Sequence, residues 1–301
     1  MAKGYDKLLL AFLFLSSGLF SINAQVTLPP VNLGASSFMD GVAGPGILVQ
    51  EILSTYKAPQ FIDHKGNQVN FPGKVNSFSS LTHIAWLSKK KVLGGYWGAE
   101  LLVPIAHIKL TTEPGTFFTA TGLGDLIISP FILQWKDGFF LGRPFWSRIS
   151  LGFMLPTGSF DANEKVNTSA NAYQFNPYYA FTWEVLPKWE ISGRALYLWN
   201  SKNLDSSFSA QAGQAIHFNY SVSYEIVKEF RIGPSGYYLS QIHDHKLNGE
   251  WLDSRERVLG LGAALHWQSN KTFIRVQGYK ETMVKSRPQG TRISISINQI
   301  F

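Results

Sequence analysis

The last eleven residues, TRISISINQIF, alternate without a break, with Ile293, Ile295, Ile297 and Phe301 on one parity and Arg292, Ser294, Ser296 and Asn298 on the other. Successive side chains of a strand point to opposite faces, so this segment is a strand with one apolar and one polar face. Two upstream segments repeat the pattern. Tyr173, Phe175, Tyr179, Phe181, Trp183 and Val185 oppose Gln174, Asn176, Thr182 and Glu184, and Ile216, Phe218, Tyr220, Val222, Tyr224 and Ile226 oppose His217, Asn219, Ser221, Ser223 and Glu225. A helix would return its polar positions near every 3.6 residues, which these runs do not do. Strands of this length with one greasy and one wet face predict an all-β chain. The expected fold is a transmembrane antiparallel β-barrel of the bacterial outer-membrane type, lipid outside and a polar lumen inside.

The amino-terminal residues fit an exported protein. Lys3 and Lys7 precede an apolar run from Leu8 to Leu15, and Ser21-Ile22-Asn23-Ala24 offers a cleavage site, so residues 1–24 read as a signal peptide. The apolar run is broken by Ser16, Ser17 and Gly18 and is too short for a membrane anchor, which needs roughly 20 apolar residues. Further on no apolar run is long enough to cross as a helix, which leaves export in soluble form or insertion as a barrel. Cysteine is absent, so disulfides and thiolate metal sites are not available. The 22 Phe, 12 Tyr and 9 Trp sit in a chain of mean hydropathy −0.02, a combination that aromatic girdles around a polar lumen account for. The 27 basic and 20 acidic residues are interspersed, which argues against a nucleic-acid surface.

Residues 25–45 carry Pro29, Pro30, Gly34, Gly41, Gly44 and Pro45 and cannot form a long regular element. They are expected at the periplasmic mouth or inside the lumen, ahead of a barrel over 46–301. Twelve strands are predicted, at 46–60, 75–88, 95–110, 123–136, 145–156, 172–186, 188–200, 214–227, 229–243, 254–268, 271–285 and 290–301. An even number puts both barrel termini on the periplasmic side. The links after strands six, eight and ten are tight, and 61–74, 157–171, 201–213 and 244–253 are long and polar, as periplasmic turns and outer loops should be. Strands three and four have apolar residues on both parities and contain Pro104 and Pro130, which are expected at bulges. Either a segment packed against their lumen side or a parity slip at a bulge explains the inward apolar residues.

Parity also selects the lumen lining, here Arg148, Glu184, Glu190, Arg194, Glu225, Arg275, Glu281 and Arg292, with Tyr237 and Tyr279 as inward aromatics. Both signs lie on adjacent strands, which predicts ion pairs across the lumen or along one wall rather than a ring of one sign. Gly122, Gly124 and Asp125 suit a tight turn with a carboxylate that accepts backbone hydrogen bonds or meets an inward arginine, and Pro156 and Gly158 fix a bend into an outer loop. His243-Asp244-His245 is the one compact metal-like cluster, and a solvent-exposed rim is expected for it rather than a metal site. Ser221 and His217 invite the thought of a lipid hydrolase, yet both lie on the inward parity with no orienting acid beside them. Most of the large aromatics, Tyr178 among them, are assigned to the interface girdles. No cofactor, metal or enzymatic activity is expected.

Along these motifs the chain resembles the outer-membrane family named for the meta-pathway of phenol degradation. The resemblance is carried by Thr121-Gly122-Leu123-Gly124-Asp125-Leu126 with Pro130, then Leu151-Gly152-Phe153 with Leu155-Pro156-Thr157-Gly158 and Asp161, and continues to Arg287-Pro288-Gln289-Gly290. It implies a monomeric, twelve-stranded, channel-like barrel in the bacterial outer membrane that admits small hydrophobic or aromatic molecules by diffusion. The partners it implies are the solute, the lipid bilayer with lipopolysaccharide, and the barrel assembly machinery. A plugged structural or adhesive barrel is the alternative that the residues leave open.

Overall fold

The computed structural model describes residues 26–70, 72–205 and 209–301. The expected signal peptide, residues 1–24, lies outside them. Twelve strands follow one another: β1 (Gly46–Ile62), β2 (Lys74–Val92), β3 (Gly95–Glu113), β4 (Thr116–Leu123 resumed at Leu126–Phe140), β5 (Arg143–Ser150 and Phe153–Leu155), β6 (Gln174–Phe175 and Tyr178–Leu186), β7 (Trp189–Asn200), β8 (Ala215–Val227), β9 (Phe230–Gln241), β10 (Arg257–Ser269), β11 (Thr272–Lys285) and β12 (Arg287–Ile300). Each pairs antiparallel with the next, and β12 returns to β1 in the register Leu53↔Ile295 and Tyr56↔Arg292. Closure leaves no unpaired ladder edge, which is what hydrocarbon demands of a spanning sheet.

The side-chain alternation read from the sequence is the alternation of the wall. On β8 His217, Asn219, Ser221 and Ser223 are buried inward while Phe218 and Tyr220 are exposed outward, and on β12 Ser294, Ser296 and Asn298 oppose Ile293, Ile295 and Ile297. The two chain ends of the barrel meet, because Ile47 and Phe301 exchange backbone N–H···O bonds. That end also holds the two-residue turns; in Leu93-Gly94 and Leu141-Gly142 both residues are left-handed, the twist that suits a tight hairpin. It is the periplasmic end, and the long connections 63–73, 156–173, 201–214 and 242–256 lie at the other, outer end.

Two stretches depart from expectation. Residues 111–122 do not form a loop, since β3 runs on to Glu113 and β4 starts at Thr116, giving a tall outer hairpin. Thr116, Phe117, Phe118, Thr119 and Thr121 are good strand formers, and their pairing with β3 outweighs the two glycines nearby. The Gly122–Asp125 group therefore does not begin a strand but interrupts one. Opposite the interruption stands Pro104, whose missing N–H has no ladder bond to lose, because β3 switches there from the Leu126–Phe140 half of β4 to the Thr116–Leu123 half. Pro130 lies in the register shift between Gly98/Glu100 of β3 and Ile132/Ser129 of β4, so the parity slips there. The last connection is also shorter than expected, with Ser286 alone between β11 and β12.

Residues 26–45 form a strap that threads the lumen from the outer loops to the periplasmic start of β1. Leu28 N–H donates to Glu256 beside the outer end of β10 (2.6 Å), Gly34 N–H to Asn219 of β8 (2.8 Å), and Gly41 N–H to the Thr182 hydroxyl of β6 (2.9 Å). Its outer half joins an apolar cluster in which Leu28 and Leu33 of the strap pack with Leu198, Tyr237, Leu239, Val258 and Tyr279 of the wall. Phe38 is wholly buried. Gly34 is required where it stands: its φ is +71°, and a Cβ would come within 2.6 Å of the Tyr279 ring and 2.8 Å of Tyr237. A cavity of about 340 Å³ separates the start of the strap from the outer loops at Phe160, Glu164, Thr168 and Asn203.

Candidate functional site: the lumen and its strap

The periplasmic half of the lumen gathers three of the predicted arginines around one strap carboxylate. Asp40 accepts two hydrogen bonds from Arg194, Nε to Oδ2 at 2.8 Å and Nη2 to Oδ1 at 2.6 Å, a bidentate pair. Arg148 Nη2 donates to the Asp40 carbonyl at 2.7 Å and lies 3.8 Å from its carboxylate. Arg275 donates to the Phe38 carbonyl at 2.7 Å. Gln134 of β4 donates to the Gly41 carbonyl at 2.8 Å, so that with Thr182 of β6 five strands grip residues 38–41. The Arg194 guanidinium sits 4.1 Å from the centre of the Tyr178 ring, and Tyr178 in turn reaches Glu100, which His83 Nε2 approaches to 2.9 Å.

This arrangement corrects the expected pairing. Glu190 is satisfied by the hydroxyls of Ser192 (2.6 Å) and Ser223 (2.8 Å), and Glu281 by Tyr56 (2.7 Å), Tyr237 (3.0 Å) and the Gly290 N–H (2.8 Å). With those carboxylates engaged by neutral donors of the wall, Arg148, Arg194 and Arg275 turn to the strap. Of the predicted acids only Glu225 makes a wall ion pair, with Arg231 at 3.4 Å near the periplasmic end. Glu184 offers its backbone carbonyl to Arg143, and Arg292 lies over the Tyr56 ring at 5.3 Å. Tyr237 and Tyr279 form an edge-on pair at 5.2 Å, their faces covered by the strap rather than lining an open track. Tyr178, assigned to a girdle, is buried in the lumen, where its even position shares the inward face of Gln174, Asn176, Ala180 and Thr182.

Several members of the site escaped the sequence reading. Asp40 sits alone in an irregular segment, where no periodicity assigns it a direction. Glu256 precedes β10 and meets Arg287 at 3.3 Å while accepting from Leu28, which anchors the strap at its outer end. The sequence balances four inward arginines against four inward glutamates, so nothing in it pointed to Asp40; the need for a further carboxylate appears only once Glu190 and Glu281 are seen to be taken by neutral donors.

The glycine motifs serve the outer loop. A Cβ on Gly158 would meet the Gly124 carbonyl carbon at 2.7 Å and the Leu123 oxygen at 2.8 Å, so the two backbones touch where Pro156 turns the chain out of β5. Asp125 accepts from the N–H groups of Gly158 (3.1 Å) and Ala170 (2.9 Å) and from Ser169 Oγ, closing the loop 156–173 without any arginine. Gly124 N–H donates to the Pro104 carbonyl at 2.9 Å, and Gly122 pairs with Ala106 one residue before the first half of β4 ends at Leu123. At the rim, Arg255 binds Asp244 through two hydrogen bonds of 2.8 and 3.0 Å. His245 is not on an exposed rim: it is buried in a small outer sheet with Nδ1 accepting from Gly213, and burial lowers its pKa to about 4. No group of three His, Asp or Glu among the described residues is arranged to hold a metal. Ser221 and His217 both face the lumen, and His217 is fully buried beside Asn176 at 3.1 Å.

The fold has counterparts among solved structures. An outer-membrane channel of the COG4313 group from Pseudomonas putida F1 superposes with a TM-score of 0.76 at 13% identity, covering 91% of this chain and 100% of that one. The transport unit of the autotransporter AIDA-I from Escherichia coli gives a TM-score of 0.52 at 8% identity, covering 93% and 95% respectively. No curated protein sequence matches. The family described as "Putative MetA-pathway of phenol degradation" matches residues 59–297. The chain therefore belongs to that family and folds as a twelve-stranded barrel of the bacterial outer membrane.

Proposed function

We propose that the protein is an outer-membrane channel for the passive uptake of small hydrophobic or aromatic molecules, and that its own strap holds it shut at rest. The carrying observation is the strap itself. It is joined covalently to the barrel only through Gly46, and it is held elsewhere by hydrogen bonds, one bidentate ion pair and an apolar cluster, all of which a displaced strap can exchange for water or solute. The surfaces it would uncover are of both kinds a small aromatic needs, the rings of Tyr237 and Tyr279 above and polar groups below to keep the path wet. The resemblance in fold to the Pseudomonas putida channel supports this reading, as does membership of a family described by an aromatic degradation pathway. We infer a monomeric barrel with its outer loops among lipopolysaccharide.

Full burial of Phe38 and Leu33 favours a second reading, a permanently plugged scaffold. Uptake separates the two. Cells making the protein should accumulate a radiolabelled monoaromatic solute faster than cells without it, and equal rates would remove the channel reading.

A further inference from the structure

We propose that the arginine cluster in the periplasmic half of the lumen is a binding site for small aromatic carboxylates, and that Asp40 of the strap occupies it as an internal substitute for such a ligand. The inference rests on the channel reading and narrows its solute class. The strap delivers a carboxylate to Arg194 in the fork geometry that recognises free carboxylates, at 2.6 and 2.8 Å. Two residues earlier it contributes Phe38, a phenyl side chain with no solvent exposure, and the intervening Met39 is held at φ 57°, a left-handed conformation rare for a residue with a Cβ. Segments of strap that only fill space have no need of a strained backbone to bring an acid and a ring into one wall.

The receiving side is built beyond what the strap uses. Arg275 is buried, its Nε has no hydrogen-bond partner among the described residues, and the same holds for Arg148 Nε. The Arg194 guanidinium lies 4.1 Å from the centre of the Tyr178 ring while its Nε and Nη2 donate to Asp40. Once Asp40 departs, Arg148, Arg194 and Arg275 face Glu100, already held by His83 and Ser150, and Glu190, already held by Ser192 and Ser223. Strap release exchanges the Asp40 fork for water alone, so an incoming carboxylate that takes the place of Asp40 restores the bidentate pair and favours the released state. A neutral aromatic has no such leverage. The site thereby couples ligand binding to opening by exchange of one anion for another.

Calorimetry on the full mature protein in detergent tests this with sodium benzoate, its neutral isostere benzamide, acetate as a carboxylate without a ring, and inorganic phosphate. Benzoate is expected to bind wild type, to bind Asp40→Asn at least about ten-fold more tightly because the internal competitor is gone, and to bind Arg194→Gln at least about ten-fold more weakly. Arg194→Lys, which keeps the charge and loses the fork, should fall between. If Arg194→Gln fails to fold, judged by heat-modifiable migration in gels, Arg194→Lys and Asp40→Asn decide. Benzamide binding equal to benzoate, acetate or phosphate binding as tight as benzoate, or affinity indifferent to both positions would overturn the proposal. Conductance of strap-deleted protein, measured alongside, keeps the two readings apart. A conducting barrel without Arg194-dependent benzoate binding sinks this inference alone, and a barrel that binds benzoate yet never conducts sinks the channel reading alone.

Discussion

Replacing Asp40 by Asn should loosen the strap by an amount that the structure sets. The side chains of Arg194 and Asp40 are 14% and 8% exposed, too buried for the pair to be treated as a surface bridge of below about 1 kcal/mol. Removing one partner of a buried pair costs about 3–5 kcal/mol, because the other charge is left without compensation. Residual exposure and the retained Asn oxygen place this site at the lower end, near ~3 kcal/mol. The cost falls on the closed state only, since in the released state Arg194 is reached by water. The open population should then rise roughly 100-fold. The chain has no cysteine, so Ser37→Cys introduces a single thiol at a position 2% exposed whose hydroxyl has no hydrogen-bond partner. When opening and closing are fast, its labelling rate with a polar maleimide follows the open population. Acceleration by less than about three-fold on adding Asp40→Asn, under 1 kcal/mol, would refute the latch.

Gly34→Ala should release the strap as well, since a left-handed φ costs an alanine ~1 kcal/mol and its methyl group collides with the Tyr279 and Tyr237 rings; the same thiol should label faster, and an unchanged rate would contradict the packing described here. Gly158→Ala forces apart the backbones at Gly124 and should destabilise the loop 156–173 by ~1–3 kcal/mol while the barrel persists, so limited proteolysis should cut within 156–173 but leave heat-modifiable migration intact. His245 should titrate near pH 4 by histidine NMR, because burial disfavours its charged form, with Asp244 opposing the effect. The unfolded chain then binds the extra proton first, so the outer sheet is fully stable above about pH 6.5 and loses stability as pH falls from there toward 4; a midpoint near 6.5 would show the ring to be solvated.

Strand identity and direction were readable because the wall has two chemically opposite solvents, and each inward Ser or Asn on β8 and β12 faces an outward Ile, Phe or Tyr across one residue of chain. That signal fails where the pleat is broken. Residues 124–125, 151–152 and 176–177 interrupt β4, β5 and β6, and a register shift at Pro130 moves β4 from one parity to the other; Tyr178 by contrast keeps the inward parity of Gln174 and Asn176, and its assignment to a girdle went against the alternation. The inward direction of Arg194, Arg275, Glu190 and Glu281 was legible from parity. Their partners were not, because parity says which face a side chain shares and nothing about a non-periodic strap that arrives from elsewhere in the sequence. Asp40, Phe38 and Gly34 derive their roles from three-dimensional placement alone. The pairing of Gly-Leu-Gly-Asp with Leu-Pro-Thr-Gly was visible as two motifs, but their function as one backbone contact closed by Asp125 required the fold.

The central claim is that a conducting barrel is shut by residues 26–45. Single-channel recording in planar bilayers tests it, comparing the protein with a form that lacks residues 28–42. The account predicts brief, rare openings for the first and steady conductance for the second. A strap-deleted barrel that inserts, migrates as folded and carries no current would contradict it.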